Sequence, residues 1–250
     1  MKGRVLVVAG SDSGGGAGIQ ADIKTITALN GFAMTAITAL TAQNSLGVKG
    51  VHKPPPAFVT DQIRVTLEDL GADAVKTGMM ADAPIIEAAA DALDALAAGV
   101  PWVVDPVMVS TGRDRLLDED AVQSLNARLI ARAALVTPNM AEAGILAGHA
   151  VTTAEEMDLL RAAPDIVTVE CTPQHLTLTA PDCYERLGTY AQMNPPIRDD
   201  THRQALWRAV TDGTVDVIGS DHAPHSREEK DRPYPESPSG MPGVQTLVPV

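Results

Sequence analysis

Several stretches of this chain place polar residues where a strand would end, which is where chemistry in layered proteins is done. The first is Gly10-Ser11-Asp12-Ser13-Gly14-Gly15-Gly16-Ala17-Gly18, entered from a short apolar run over residues 5–9. Glycine lacks a Cβ, so such a loop can turn with positive φ and bring backbone close to a ligand. Ile19, Ile23 and Ile26 follow at spacings of four and three, the pattern of an amphipathic helix. Free N–H groups at the start of that helix would favour an anionic or polar ligand. Gly16-x-Gly18-x-x-Ala21 meets only the relaxed form of the dinucleotide fingerprint, and no acidic residue follows at the required distance. The phosphate-loop pattern fails because no Gly-Lys-Ser/Thr is present. Loop chemistry alone leaves a ligand site and a plain tight turn both open.

Other clusters repeat the arrangement. Gln43 lies in Thr41-Ala42-Gln43-Asn44-Ser45, after an apolar stretch over residues 32–40. Met79 and Met80 follow a short strand at residues 74–76, and Asp105-Pro106 closes the apolar Trp102-Val103-Val104. Asn139 and Glu142 come after residues 134–136, and Asp221-His222 after residues 215–219. In open α/β sheets ligands sit at strand carboxyl ends.

The elements that must position these residues can be read from periodicity. Strands are expected at residues 5–9, 32–40, 74–76, 102–104 and 134–136, with helices at 59–70, 84–98, 121–131 and from Met140. Val59, Ile63, Leu67 and Leu70 would share one helix face. Strands alternating with helices imply a parallel sheet with right-handed crossovers. In the second half, helices are expected at residues 154–162 and 201–210 and strands at 166–170 and 215–219. A Pro- and Tyr-containing loop would precede Asn194, and a Pro/Ser/Gly-rich stretch runs over residues 233–243.

Composition narrows the class. The 250 residues are 45% hydrophobic and 20% charged, which suits a globular chain with a sizeable core of Ala, Val, Leu and Ile. A net charge of −13 argues against nucleic acid and anionic membrane as partners. Cys171 and Cys183 make neither a disulfide framework nor a metal-type pair, so two free thiols are expected. No signal-peptide pattern opens the chain, and no run nears the roughly 20 apolar residues of a membrane helix. The expected location is the cytoplasm.

Taken together, GSDSGGGAGIQADIKT, TALTAQNS, VKTGMM, DPVMVSTGRDRLL and VTPNMAEAGIL resemble hydroxymethylpyrimidine/phosphomethylpyrimidine kinase over about residues 3–150. The resemblance implies a ribokinase-like α/β fold and ATP-dependent phosphorylation of a small-molecule pyrimidine in thiamine biosynthesis, with Mg²⁺. It implies that Gly10, Asp22 and Gln43 line the pyrimidine pocket, that Met79 or Met80 packs on the ring, and that Asp105, Asn139 and Glu142 lie on the ATP and magnesium side. Glu142 falls one turn into a helix from Asn139, so both could face one magnesium-bound water. Gly112-Arg113-Asp114 departs from the family's usual Ser-Gly-Asp. The late Gly-rich turn that supplies the family's anion hole and base has no counterpart in residues 151–250. The kinase reaction is therefore expected to be impaired.

Residues 151–250 resemble a different family, the dihydroorotases of the amidohydrolase superfamily, through VTTAEEMDLLR, VECTPQHLTLT, MNPPIRDD, GTVDVIGSDHAPH and SGMPGVQT. That resemblance implies a fragment of a (β/α)₈ barrel with Asp221 as metal ligand and proton shuttle, and Asn194 and His225 as substrate-binding residues. His175 matches no metal ligand. The early His-x-His pair and bridging group have no counterpart, and Ala150 stands where a ligand histidine belongs, so Zn²⁺ is not expected to bind. The chain thus reads as an incomplete ribokinase-like parallel α/β sheet, residues 1–150, followed by a barrel fragment, residues 151–250, with a seam over residues 148–157. A pyrimidine kinase leads; a hydrolase fragment and a non-catalytic pyrimidine-binding chimera are the alternatives. An oligomer is compatible with all three.

Overall fold

A computed structural model describes residues 2–44, 47–108, 117–147 and 169–243. The chain divides into two compact units, Met1–Leu146 and Ala147–Val250. Gly112-Arg113-Asp114, the seam with His149 and Ala150, and the helix expected at residues 154–162 lie outside the described residues.

In the first unit, β1 (Arg4–Asp12), β2 (Phe32–Asn44), β3 (Gly47–His52), β4 (Ala74–Thr77), β5 (Trp102–Val104) and β6 (Leu135–Val136) form one sheet in the order β3-β2-β1-β4-β5-β6. Leu6 to Ala9 are at most 1% exposed, the signature of a central strand covered on both faces. Successive side chains point to opposite faces of a strand. Leu6 and Val8 accordingly pack with α2 (Pro56–Leu70), α3 (Ala83–Leu96) and α4 (Glu119–Ser124), while Val7 and Ala9 pack with Ile19 of α1 (Gly18–Ala28). The α4 segment continues through a π turn, Leu125–Leu129, and a 3₁₀ turn, Ile130–Arg132. The unit ends with α5 (Met140–Ala147).

The structure alters four expectations. β1 runs on to Asp12 rather than stopping at Ala9, because Ser11 and Asp12 still pair with Leu40 and Thr41 of β2. The Thr41–Asn44 cluster is part of β2, held by the antiparallel strand β3 that the exposed, weakly patterned GVKGVH gives no sign of. The sheet is therefore mixed, not wholly parallel. Ile23 is 37% exposed and Leu70 38%, the latter at the last helical residue before Gly71 turns away with φ 61°.

The order in which strands are added to the sheet reverses at β1. β2 lies on one side of it and β4 on the other, both parallel to it, with α1 and α2 on opposite faces. The carboxyl end of β1 is therefore the topological switch point, where an open α/β sheet leaves a crevice.

The second unit contains β7 (Glu170–Cys171), α6 (Pro173–Thr177), α7 (Asp182–Leu187), a 3₁₀ turn (Gly188–Ala191), α8 (Asp200–Thr211), β8 (Val217–Ile218) and α9 (Arg227–Lys230). α7 and the 3₁₀ turn occupy the stretch expected to be a loop, with Cys183 and Ala191 buried against Met193 and Ile197. β7 and β8 pair in parallel over two residues each, and the described residues show no barrel. Cys171 and Cys183 are both free and buried. Burial pushes the Cys171 thiol up to about 11.

Candidate functional site

The crevice at the end of β1 is shaped by an aspartate. Asp12 is 6% exposed, and its carboxylate accepts from the N–H groups of Gly14 at 2.7 Å, Gly16 at 2.9 Å and Ala17 at 2.9 Å. Its own N–H donates to Gln20 Oε1 at 2.8 Å, and Gln20 Nε2 donates to the Ser11 hydroxyl at 2.7 Å. Lys24 ties the carbonyl of Gly15 at 2.7 Å. The loop thus folds around an internal anion, so these N–H groups do not wait for an external one. Gly18 has φ 56°, and an added Cβ would fall on the carbonyl oxygen of Gly10. Only glycine closes that turn without strain.

Around this loop the structure brings Gly10, Gln43 and Met79 to one edge. Gly10 is buried where the β1–β2 register slips, and a Cβ there would lie 3.4 Å from Met79 Sδ. Met79 is half-buried beside it and packs on the edge of the helical core, whereas Met80, 1% exposed, lies within that core. Gln43 is fixed through its backbone: Ser13 Oγ donates to Gln43 O at 2.9 Å, and Gln43 N donates to Ser13 Oγ at 2.8 Å. The Thr41 hydroxyl stands 2.9 Å from Ser11 O and 3.2 Å from Gln43 Oε1, so it can donate to either. A primary amide presented this way offers a donor and an acceptor to a heteroaromatic ring.

Asp22 and Asp105 meet the same partner. Lys76 Nζ lies 3.2 Å from Asp22 Oδ2 and 3.3 Å from Asp105 Oδ2. Burial raises the Asp105 carboxyl above its usual range, opposed by Lys76 and reinforced by the charge of Asp22. Neither Lys76 nor Asp12 was singled out from the sequence. The usable signal for Lys76 was a lone cation inside an apolar strand; for Asp12 it was an aspartate with glycines two and four residues on.

Asn139 and Glu142 form a reciprocal cap on α5. Glu142 N donates to Asn139 Oδ1 at 3.0 Å, and Asn139 N donates to Glu142 Oε2 at 2.9 Å. Glu142, 3% exposed, also accepts from Met108 N at 3.1 Å through Oε1. Both carboxylate oxygens thus hold backbone, which differs from a pair of side chains aimed at one magnesium-bound water.

In the second unit, Asp221 is exposed with φ 40°, and Asn194 is exposed. His225 Nε2 lies 3.1 Å from Ser239 O, and its Nδ1 3.8 Å from Glu229. Burial and the charge of Asp221 raise the Glu170 carboxyl. His175 donates from Nε2 to Pro195 O at 2.9 Å and accepts at Nδ1 from Thr172 at 2.7 Å, and burial lowers its pKa. Among the described residues no three His, Cys, Asp or Glu side chains gather as a metal site. Asp221 therefore lacks the partners that zinc requires, and the residues present do not fit that ion.

Known proteins resemble the chain over most of the first unit and the start of the second. The family model of phosphomethylpyrimidine kinase matches residues 12–174. The thiamine biosynthesis bifunctional protein ThiED of Geobacter sulfurreducens is 51% identical over 62% of this chain and 32% of its own length. The hydroxymethylpyrimidine/phosphomethylpyrimidine kinase of Mycobacterium leprae is 49% identical over 61% of this chain and 54% of its own. The crystal structure of phosphomethylpyrimidine kinase from Clostridium difficile 630 covers 66% of this chain and 73% of that one, with TM-score 0.60 and 38% identity. This chain spans about half the length of the curated relatives it matches, 32%, 54% and 59% for three of them.

Proposed function

Because this chain belongs to the phosphomethylpyrimidine kinase family and carries its ribokinase-like α/β sheet, we propose that it binds hydroxymethylpyrimidine and its phosphate at the end of β1 and phosphorylates them with ATP in thiamine biosynthesis. The observation that supports this reading is that Met79 meets Gly10 at the end of β1 while Gln43 is tied to the same loop through Ser13. Gly10 lets Met79 pack close against the loop backbone, and Met79 offers a ring a polarizable side chain. Gln43 gives the ring and amino nitrogens a paired donor and acceptor, with its backbone already fixed by Ser13. Met80 belongs to the core in this reading. Asp22 sits on the ring side and Asp105 on the nucleotide side of Lys76.

Magnesium fits Asp105, whose Oδ2 meets Lys76 while Oδ1 has no hydrogen-bond partner among the described residues. Carboxylate oxygen is the donor this ion prefers. Bound there, it would draw charge from the transferring phosphate. Asn139 and Glu142 serve by locking the start of α5 to the segment after β5. A cytoplasmic enzyme is the setting this chemistry suits. Among the described residues no helix is long and apolar enough to cross a membrane.

For residues 151–250 we carry the second resemblance as a proposal of origin, a dihydroorotase-like segment, while the kinase family model itself runs past the expected seam to residue 174. Beyond residue 174, the position of Asp221 just after β8 is what supports it. No hydrolytic step is assigned, because the residues present do not fit zinc.

The test is calorimetry of hydroxymethylpyrimidine with the purified chain, followed by incubation with ATP and Mg²⁺. The expected result is stoichiometric binding that Gln43→Ala weakens by roughly 1–3 kcal/mol, two hydrogen bonds, and a phosphorylated product. Binding without product would leave a pyrimidine-binding protein, and no binding would overturn the reading.

A further inference from the structure

Lys76 is the charged group that the proposed site does not yet use. It stands in β4 between Val75 and Thr77, both fully buried, and its side chain is 23% exposed. A cation in the middle of a sheet is costly unless it is paired. Here two carboxylates from separate elements pair with it, Asp22 from α1 and Asp105 from the end of β5. Gly78 supplies the room, since a Cβ there would come 3.1 Å from Nζ. Asp22 belongs to the helix that the glycine loop opens, and Asp105 follows the strand end that faces the nucleotide. One ammonium between two carboxylates leaves a single negative charge in excess.

We propose that Lys76 is a positioning residue of this site, its ammonium tying Asp22 to Asp105 and holding one oxygen of Asp105 so that the other is presented to the magnesium nucleotide. The inference rests on the kinase reading above. Lys76 acts through Asp105: with it in place, the phosphates meet one partly neutralised carboxylate, and without it they meet two carboxylates that repel each other and turn outward. The link to Asp22 also makes the ring side and the nucleotide side share one charged group.

The experiment titrates the full chain with magnesium and a non-hydrolysable ATP analogue, and separately with hydroxymethylpyrimidine, by calorimetry. Wild type is compared with Lys76→Met, Lys76→Gln, Lys76→Arg, Asp105→Asn and the Lys76→Met/Asp105→Asn double variant, with folding followed by circular dichroism. Lys76→Met and Lys76→Gln are expected to weaken nucleotide binding about tenfold or more, and Lys76→Arg to stay within about threefold. In the Asp105→Asn background, Lys76→Met is expected to change binding less than about twofold, because the pair acts as one unit. An equal loss in both backgrounds would make Lys76 a structural residue only and overturn the inference. So would wild-type binding by the neutral variants, or unfolding of both neutral variants while Lys76→Arg folds. A wild type that binds neither ligand overturns the kinase reading and this inference with it; wild-type binding with an indifferent Lys76 overturns this inference alone.

Discussion

At the scale of single residues, the glycine loop shows how a motif can be right in place and different in mechanism. The spacing of its glycines marks a turn, and Gly18 needs one, with φ 56° and no room for a Cβ. Gly18→Ala should lower stability by at least about 1–2 kcal/mol from the backbone conformation alone, before the clash with Gly10 is counted. Chemical denaturation would check it, and an unchanged midpoint would sink it. Asp12 is the second case. With three N–H groups on its carboxylate, Asp12→Ala should cost about 3 kcal/mol, the scale of charged hydrogen bonds lost and donors orphaned. Asp12→Asn should recover part of that, since an amide oxygen still accepts. The sequence names both residues but does not say that the loop's donors point inward, because an aspartate's partners depend on how the chain folds back.

At the scale of elements, the apolar periodicity of α2 predicts its inner face, and Val59, Ile63 and Leu67 are buried there while Leu70 is not; the buried Ile85, Ile86, Ala89 and Leu93 of α3 came from the structure. The α5 start is governed by different physics. Asn139 and Glu142 carry the spacing of a capping box as well as that of the family motif, and the hydrogen bonds realise the cap. Glu142→Ala should therefore destabilise the first unit by about 3 kcal/mol, two charged hydrogen bonds to backbone. Glu142→Gln should lose less. Denaturant melts of both variants decide this, and equal loss by Ala and Gln would mean that the cap is not what Glu142 supplies. β3 was missed because all six of its residues are exposed, so no apolar alternation marks it.

At the scale of the whole molecule, each unit holds a carboxyl that burial raises, Asp105 in the first and Glu170 in the second. In the second, Glu170 has its pKa raised above the ordinary 4.5, first by burial and then by the charge of Asp221. A raised carboxyl binds its proton more tightly when folded, so its share of stability is complete below the ordinary glutamate range and is lost as pH rises through the raised value. Melting of the wild type should thus fall in that window, and Glu170→Gln should flatten the fall there. Identical pH profiles for the two proteins would refute it. Apart from the one charge removed, both proteins share the acidic background of the chain, net −13 in the wild type, so their difference isolates Glu170.

What the sequence by itself determined is the alternation of helices with the parallel strands of the first unit, without β3, together with the glycine turn and membership of a kinase family. Each depends on local spacing or on motifs kept in order, and local spacing survives in one dimension. What only the tertiary structure decided is which groups meet. Residues 54 apart bring Lys76 to Asp22, and 29 more carry it to Asp105, through crossovers that set the sheet order. The same crossovers put Met79 by Gly10 and Met80 in the core, two neighbours that composition cannot tell apart. Hydrogen bonds and ion pairs form between whatever the fold brings within about 3 Å, so partners follow from topology, and topology is read from packing rather than from the residues one at a time.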